Sequence, residues 1–169
     1  MISNLRKHVF FYMGKYANML EPEGWDILDV GTAGDPPRPD GKPGGNYQYF
    51  GKGNNYKTLD VLAEYNPDYV DDICKTSFKD NTWDLIILSQ CLEHIYTPHH
   101  AIMECYRILK PGGFLIVDAP WEYRYHPEPG FDDYFRYSKS CLQRMTTDQG
   151  FTFIDGDQTQ LLSTILVKK

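Results

Sequence analysis

Four short stretches of the chain combine acids, small residues and hydroxyls in patterns able to hold a polar ligand. The first is Asp29-Val30-Gly31-Thr32-Ala33-Gly34, an acid at the end of an apolar run followed by small residues. Small residues permit a tight turn and let a ligand approach the backbone closely. The second is Asp60, followed by Val61 and lying 29 residues after Gly31. A carboxylate there can accept both hydroxyl protons of a ribose, at a longer separation than the ~20 residues of the dinucleotide fingerprint; a solvated acid at a strand end is the alternative. The third is Asp72-Ile73. Its acid can accept from the exocyclic amine of an adenine while the isoleucine packs against the ring; a plain turn acid is the equal alternative. The fourth is Ser89-Gln90-Cys91-Leu92-Glu93-His94, which follows the most apolar run in the chain.

The elements that must position these residues are legible from periodicity. Ile2, Leu5, Val9, Met13, Tyr16 and Leu20 fall at helical spacing, so residues 3–20 are predicted to form an amphipathic helix. Residues 25–30 read as a buried strand closed by Gly31. Residues 31–55 hold seven glycines and four prolines and are predicted to be a long loop, because proline lacks the amide donor a helix needs. Residues 56–60, 69–72, 83–89 and 114–118 read as further strands. Thr97-Pro98 opens a predicted helix carrying Ala101, Ile102, Cys105, Ile108 and Leu109, which Lys110-Pro111-Gly112-Gly113 is expected to stop. A second long loop, residues 119–137, is dense in aromatics. Ser138 is placed as the cap of a last helix ending at Gly150, and residues 151–155 and 161–167 as two final strands. Strands alternating with crossovers imply a parallel α/β sheet. The last two strands lack room for a helix between them and are expected to pair antiparallel.

Composition narrows the function classes. The chain of 169 residues is 41% hydrophobic and 24% charged, which suits one globular domain spanning residues 1–169. Its net charge of −6, without a basic run, is a poor match to phosphate backbones, so no nucleic-acid partner is expected. No apolar run is long enough for a membrane span. Arg6-Lys7 ahead of Val9-Phe10-Phe11 resembles a leader, but Lys15 interrupts the apolar stretch, and a mature helix in a cytoplasmic protein is expected. Cys74, Cys91, Cys105 and Cys141 have no metal-like spacing and are expected to be small buried hydrophobes. Seven aromatics crowd between Ala119 and Tyr137.

Taken together, Ile27-Leu28-Asp29-Val30-Gly31, Asp60, Asp84-Leu85-Ile86-Ile87, Leu92-Glu93-His94-Ile95 and Leu109-Lys110-Pro111-Gly112-Gly113 resemble a class I S-adenosylmethionine-dependent methyltransferase. The resemblance runs from about Trp25 to the C-terminus. Tyr125-His126 and Asp133-Tyr134-Phe135-Arg136-Tyr137-Ser138 are similar to a subgroup associated with sugars or other small metabolites. The resemblance implies a Rossmann-like fold, a mostly parallel seven-stranded sheet in the order 3-2-1-4-5-7-6 with a C-terminal antiparallel hairpin, and S-adenosylmethionine as cofactor. It implies that Gly31, Thr32, Ala33 and Gly34 line the methionine part, that Asp60 binds the ribose, and that Asp72 with Ile73 binds the adenine. Ser89 and Gln90 would close over the sulfonium side, and Asp29 and Val61 join the same cofactor set. Ala33 and Asp35 stand where the family motif has glycine.

A sulfonium methyl is already activated, so the expected chemistry needs no metal; the protein aligns an acceptor and excludes water. A hydroxyl acceptor also needs a base, for which His94 and His126 are the candidates. His94 reads equally well as a helix-start histidine that orients backbone. Trp121, Tyr123, Tyr125 and Tyr134 can wall a ring-bearing acceptor, and Asp133, Tyr134 and Arg136 can hold its polar groups. Arg136 paired with Asp132 or Asp133 as loop scaffolding is the competing reading. The expected function is methyl transfer to an oxygen or nitrogen of a small molecule, a sugar or glycan precursor being one class. The alternative is a non-catalytic module of the same fold that engages a partner through its aromatic loop. An NAD-dependent dehydrogenase is the weaker third reading, since Gly-x-Gly-x-x-Gly is absent.

Overall fold

Asp26–Val30 forms the first strand, β1, with its last four residues buried, because it lies at the centre of the sheet and is covered on both faces. The computed structural model describes residues 3–32, 37–41, 44–127 and 129–169. The remaining elements are α1 (Asn4–Leu20), the single turn α2 (Tyr47–Phe50), β2 (Asn55–Asp60), β3 (Tyr69–Val70), β4 (Trp83–Ser89), α3 (Pro98–Ile108), β5 (Leu109–Pro120), α4 (Lys139–Thr147), β6 (Thr152–Gln158) and β7 (Leu162–Lys168). The strands order as β3-β2-β1-β4-β5-β7-β6. β1 pairs parallel with β2 and with β4, whereas β5, β7 and β6 pair antiparallel. The expected sheet order and C-terminal hairpin are both present.

Alternation along the strands sends residues to two separate cores. Ile27, Leu85, Ile87, Ile116 and Leu166 meet Val9, Met13 and Tyr16 of α1. Leu28, Val30, Ile86, Leu88, Leu115 and Val117 meet Ala101, Ile102 and Cys105 of α3 and Leu142 and Met145 of α4. The sheet is thus sandwiched between helical layers. α1 begins with Ser3 capping the Arg6 amide. Its polar edge reaches the hairpin, where the Tyr12 hydroxyl donates to Asp157 and Lys15 pairs with Asp155. It packs on the sheet face that carries Ile27 of β1 and Leu166 of β7.

Two readings of the sequence are corrected. Lys110-Pro111-Gly112-Gly113 is not simply a helix stop. Leu109 pairs opposite Trp83 and Phe114 opposite Leu85, so the intervening residues are an excursion inside β5. A Cβ at Gly113 would lie 2.9 Å from the Lys110 carbonyl, which explains why glycine stands there. The cysteines are not all buried either: Cys105 is, but Cys141 is exposed.

The loop between β1 and β2 carries no long helix among its described residues. It is tied down by Arg38, whose buried guanidinium donates to Asp68, to Asp40 and to the Tyr56 carbonyl.

Candidate functional site

The carboxyl ends of β1, β2 and β4 converge where a parallel sheet presents its ligand site. Gly31 takes φ +74°, and its amide donates to the Leu59 carbonyl. A Cβ at Gly31 would lie 2.7 Å from Cys91 Sγ, so the exits of β1 and β4 touch there. Thr32 follows with 1% exposure, and its hydroxyl has no hydrogen-bond partner among the described residues. Ala33 and Gly34 lie outside the described residues.

Asp29 has a different task from the expected one. Its carboxyl accepts from the Tyr56 hydroxyl and from the backbone and side-chain amides of Asn46. Burial pushes its pKa up to about 6. These partners direct it to the β1–β2 loop. Asp60 sits at the end of β2, mostly buried, and accepts from the Leu62 amide. Val61 beside it is exposed. Asp72 caps its own turn by accepting from the Cys74 amide at 2.8 Å. Ile73 is buried in the core with Leu59 and Leu92, so little of it is left to face a ring.

On the β4 side, Gln90 is held at φ +51°, and its side-chain amide donates to Asp118 Oδ1 at 2.6 Å. Ser89 stands opposite Asp118 in the β4–β5 register. Burial pushes the Asp118 carboxyl up to about 6.

The second group of functional side chains lies between the turn Leu92–His94 and the aromatic loop. The Glu93 carbonyl accepts from the Tyr134 and Phe135 amides, which fixes the loop against this turn. The Glu93 side chain is fully buried, and neither carboxyl oxygen has a hydrogen bond among the described residues. Glu93 Oε1 lies 3.7 Å from His94 Nε2 and 4.0 Å from His126 Nε2. His94 Nδ1 is 2.6 Å from the Asp132 carbonyl, and His126 Nδ1 is 2.9 Å from Asp133 Oδ2. The carbonyls of Asp132, beside His94 Nδ1, and of Arg124, 3.0 Å from His126 Nδ1, can only accept, which places the proton of each ring on Nδ1 and leaves the Nε2 lone pairs on the Glu93 side. The two rings stand edge to face, 5.1 Å apart, with Phe131 against His94 and Tyr123 against His126. Burial holds His94 below the usual imidazole range.

Asp133 and Arg136, expected to hold acceptor groups, are committed to the loop instead. Arg136 donates to Asp133 and to the carbonyls of Tyr123, Arg124 and Phe135. That guanidinium holds Asp133 down at about 2. The scaffold reading of Arg136 is the one the contacts support. Trp121 extends the β5–β7 pairing through its amide bond to the Leu161 carbonyl. Tyr134 and Tyr125 are exposed; Tyr134 packs on Tyr96, and Tyr125 donates to Asp132.

Two participants had no assigned role in the sequence. These are Glu93, which stood only as part of the fourth stretch, and Asp118, which stood only at the end of a predicted strand. A cavity of about 680 Å³ opens between the start of α3 and α4, beside Tyr96, Phe135 and Met145. None of its lining comes from the ends of β1, β2 or β4.

Comparisons with known proteins agree with this fold. A family model described as a methyltransferase domain matches residues 42–117. A protein of Ruegeria sp. (strain TM1040) named ubiquinone/menaquinone biosynthesis C-methyltransferase UbiE is 33% identical over 95 residues, 56% of this chain and 37% of that protein. The chain thus spans about a third of the length of the curated relatives it matches. Among solved structures, a putative sarcosine dimethylglycine methyltransferase from Galdieria sulphuraria superposes with a TM-score of 0.73 at 12% identity, over 95% of this chain and 85% of that one. A 1,6-didemethyltoxoflavin-N1-methyltransferase from Burkholderia thailandensis, solved with 1,6-didemethyltoxoflavin and S-adenosylhomocysteine, gives 0.69 at 12% identity, over 94% and 76%. Likeness at these identities is likeness of fold.

Proposed function

We propose, from the premise that the chain is a class I S-adenosylmethionine-dependent methyltransferase in fold with a methyltransferase-domain match at its centre, that it transfers a methyl group to an oxygen or nitrogen of a small molecule. A sugar or glycan precursor is the favoured acceptor class. The observation that carries the reading is at the end of β1. Thr32 buries a hydroxyl with no hydrogen-bond partner among the described residues, directly after a glycine at positive φ. A buried donor without a partner is unfavourable unless a ligand completes it. With the Asp60 carboxylate at the neighbouring strand end, the residues present fit S-adenosylmethionine.

When bound, that cofactor supplies an electrophilic methyl group on a sulfonium. Gly31 and Thr32 bind its amino-acid end through backbone and hydroxyl, and Asp60 binds its ribose. The Gln90–Asp118 bond fixes the β4 exit and so orients the site. His94 and His126 are the acceptor-activating groups, because each keeps an Nε2 lone pair able to take an acceptor proton. The Arg136–Asp133 scaffold holds His126 and the aromatic loop in place. Tyr123 and Trp121 supply the apolar wall that limits water near the acceptor.

Trp121, Tyr123 and Tyr134 of the aromatic loop, which lies beyond the family-model match over residues 42–117, are the proposed acceptor-selecting residues. The test is calorimetric titration with S-adenosylmethionine and S-adenosylhomocysteine, followed by sugars as acceptors. Micromolar binding of both, lost in Asp60→Ala, supports the reading. A folded protein that binds neither overturns it in favour of the non-catalytic module.

A further inference from the structure

The carboxyl of Glu93 poses a problem that methyl transfer does not solve. It is fully buried and unhydrogen-bonded among the described residues, yet it is held in place through its own backbone by the amides of Tyr134 and Phe135. What it faces is a pair of imidazoles. The donor atoms of Glu93, His94 and His126 all lie within 4.8 Å of one another. At 3.7 and 4.0 Å the carboxylate is too far from either Nε2 for a direct hydrogen bond.

These separations are close to what one ion imposes. Ligands at ~2.0–2.2 Å around a metal stand roughly 3.3–3.8 Å apart in tetrahedral or trigonal geometry. Glu93 Oε1 is already at or within a few tenths of an ångström of that separation from both histidines, and the third pair, within 4.8 Å, has up to about an ångström to close. The outer contacts of the histidines follow the pattern of metal ligands. Each has its remote Nδ1 at a backbone carbonyl able to take its proton, Asp132 for His94 and Arg124 for His126, while Asp133 accepts from the His126 backbone amide. Asp133 is itself clamped by Arg136. Both ring orientations are therefore set by partners on the far side from Glu93.

We infer that Glu93, His94 and His126 form a binding site for one divalent transition-metal ion, with zinc as the representative occupant. Two imidazoles and one carboxylate suit zinc, iron(II) or cobalt(II) better than calcium or magnesium, which prefer all-oxygen sets. Three protein ligands leave at least one coordination position open. Where the reading of the proposed function holds, that position receives the oxygen or nitrogen of the acceptor, and since an Nε2 bound to the ion has no lone pair left for a proton, the histidines act as bases only in the metal-free chain. The cysteine spacing gives no hint of such a site, because its ligands come from two loops far apart in the chain.

The experiment is metal titration of the full chain after treatment with EDTA, using zinc against a chromophoric chelator and cobalt(II) by visible absorption. S-adenosylhomocysteine is titrated into the same samples. The expected result is one equivalent bound, with d–d bands of a nitrogen–oxygen site, and affinity lowered at least about tenfold in His126→Ala and in His94→Gln. His126 lies in a surface loop, so circular dichroism of His126→Ala is expected to match wild type. Absence of binding in the folded wild type overturns the site, as does unchanged affinity in both variants. A sulfur-to-cobalt charge-transfer band also overturns it by moving the ion to a cysteine such as Cys91. Retained S-adenosylhomocysteine binding without metal binding sinks this inference alone; metal binding without S-adenosylhomocysteine binding supports it and sinks only the proposed function.

Discussion

The Tyr56 hydroxyl, on β2, donates to the carboxyl of Asp29, on β1, inside the core. The same carboxyl accepts from Asn46, so one buried acid joins both central strands to the glycine- and proline-rich loop between them. Removing the hydroxyl leaves Asp29 buried with fewer partners. Tyr56→Phe is expected to lower stability by about 1–3 kcal/mol, read by urea unfolding. A change below about 0.3 kcal/mol would show that the bond is not supporting the fold.

Asp29 also carries a pH dependence. Its folded pKa is raised to about 6, from an ordinary value near 3.8, by burial. The folded state therefore holds a proton that the unfolded state has lost, and the stability this provides is full below about pH 4. It is lost as pH rises through about 6. The full difference corresponds to about 3 kcal/mol. Asp29→Asn keeps the neutral form at every pH, so the stability of wild type relative to this variant is expected to fall between pH 4 and 7. Urea unfolding of both proteins across that range checks it, and a constant gap refutes it.

This pair shows where the sequence was informative and where it was not. β4 announces itself through the unbroken run Leu85 to Leu88, β1 through the apolar residues on either side of Asp29, and the hairpin through the short interval between its strands. Asp29 was expected to serve a ligand because it ends an apolar run before glycine. Its actual partners are 17 and 27 residues away, a separation no local pattern encodes. Glu93 went unassigned for the same reason: an acid in a short turn reads as solvated until the loop carrying His126 is folded over it. Lys110-Pro111-Gly112-Gly113 reads as a helix stop from residue types, and only the β4–β5 register reveals the excursion within β5.

Gly31 offers a steric prediction. A side chain there must adopt φ +74° and would meet the Cβ of Cys91 at 2.8 Å as well as its sulfur. The backbone conformation alone disfavours alanine by roughly 1–2 kcal/mol. Gly31→Ala is expected to lower the thermal midpoint and weaken S-adenosylhomocysteine binding together. Cys91→Ala in the same chain removes the sulfur but not the Cβ, so it should restore only part of the loss. Full restoration would place the problem in the sulfur contact rather than the backbone.

Arg136 separates loop order from cofactor affinity. Its guanidinium holds three carbonyls of the aromatic segment besides Asp133, a fan of contacts a lysine ammonium cannot reproduce. Arg136→Lys is expected to speed hydrogen exchange across residues 121–137 several-fold. S-adenosylhomocysteine affinity should stay within about twofold, because Gly31, Thr32 and Asp60 are untouched. A parallel collapse of that affinity would mean the loop also builds the cofactor site.

Thr32 gives the sharpest separation between a ligand role and a structural one. Its hydroxyl is buried and has no hydrogen-bond partner among the described residues, while its side-chain volume fills the end of β1. Valine keeps that volume and removes the hydroxyl. If the hydroxyl served the fold, Thr32→Val would destabilise the protein. With no partner to lose among the described residues, the variant is instead expected to be as stable as wild type or slightly more so. Its affinity for S-adenosylhomocysteine should drop by about three- to tenfold, the worth of one neutral hydrogen bond of about 0.5–1.5 kcal/mol. Thermal unfolding and calorimetry on one preparation read both quantities. Lower stability with unchanged affinity would reverse the assignment and return Thr32 to the core.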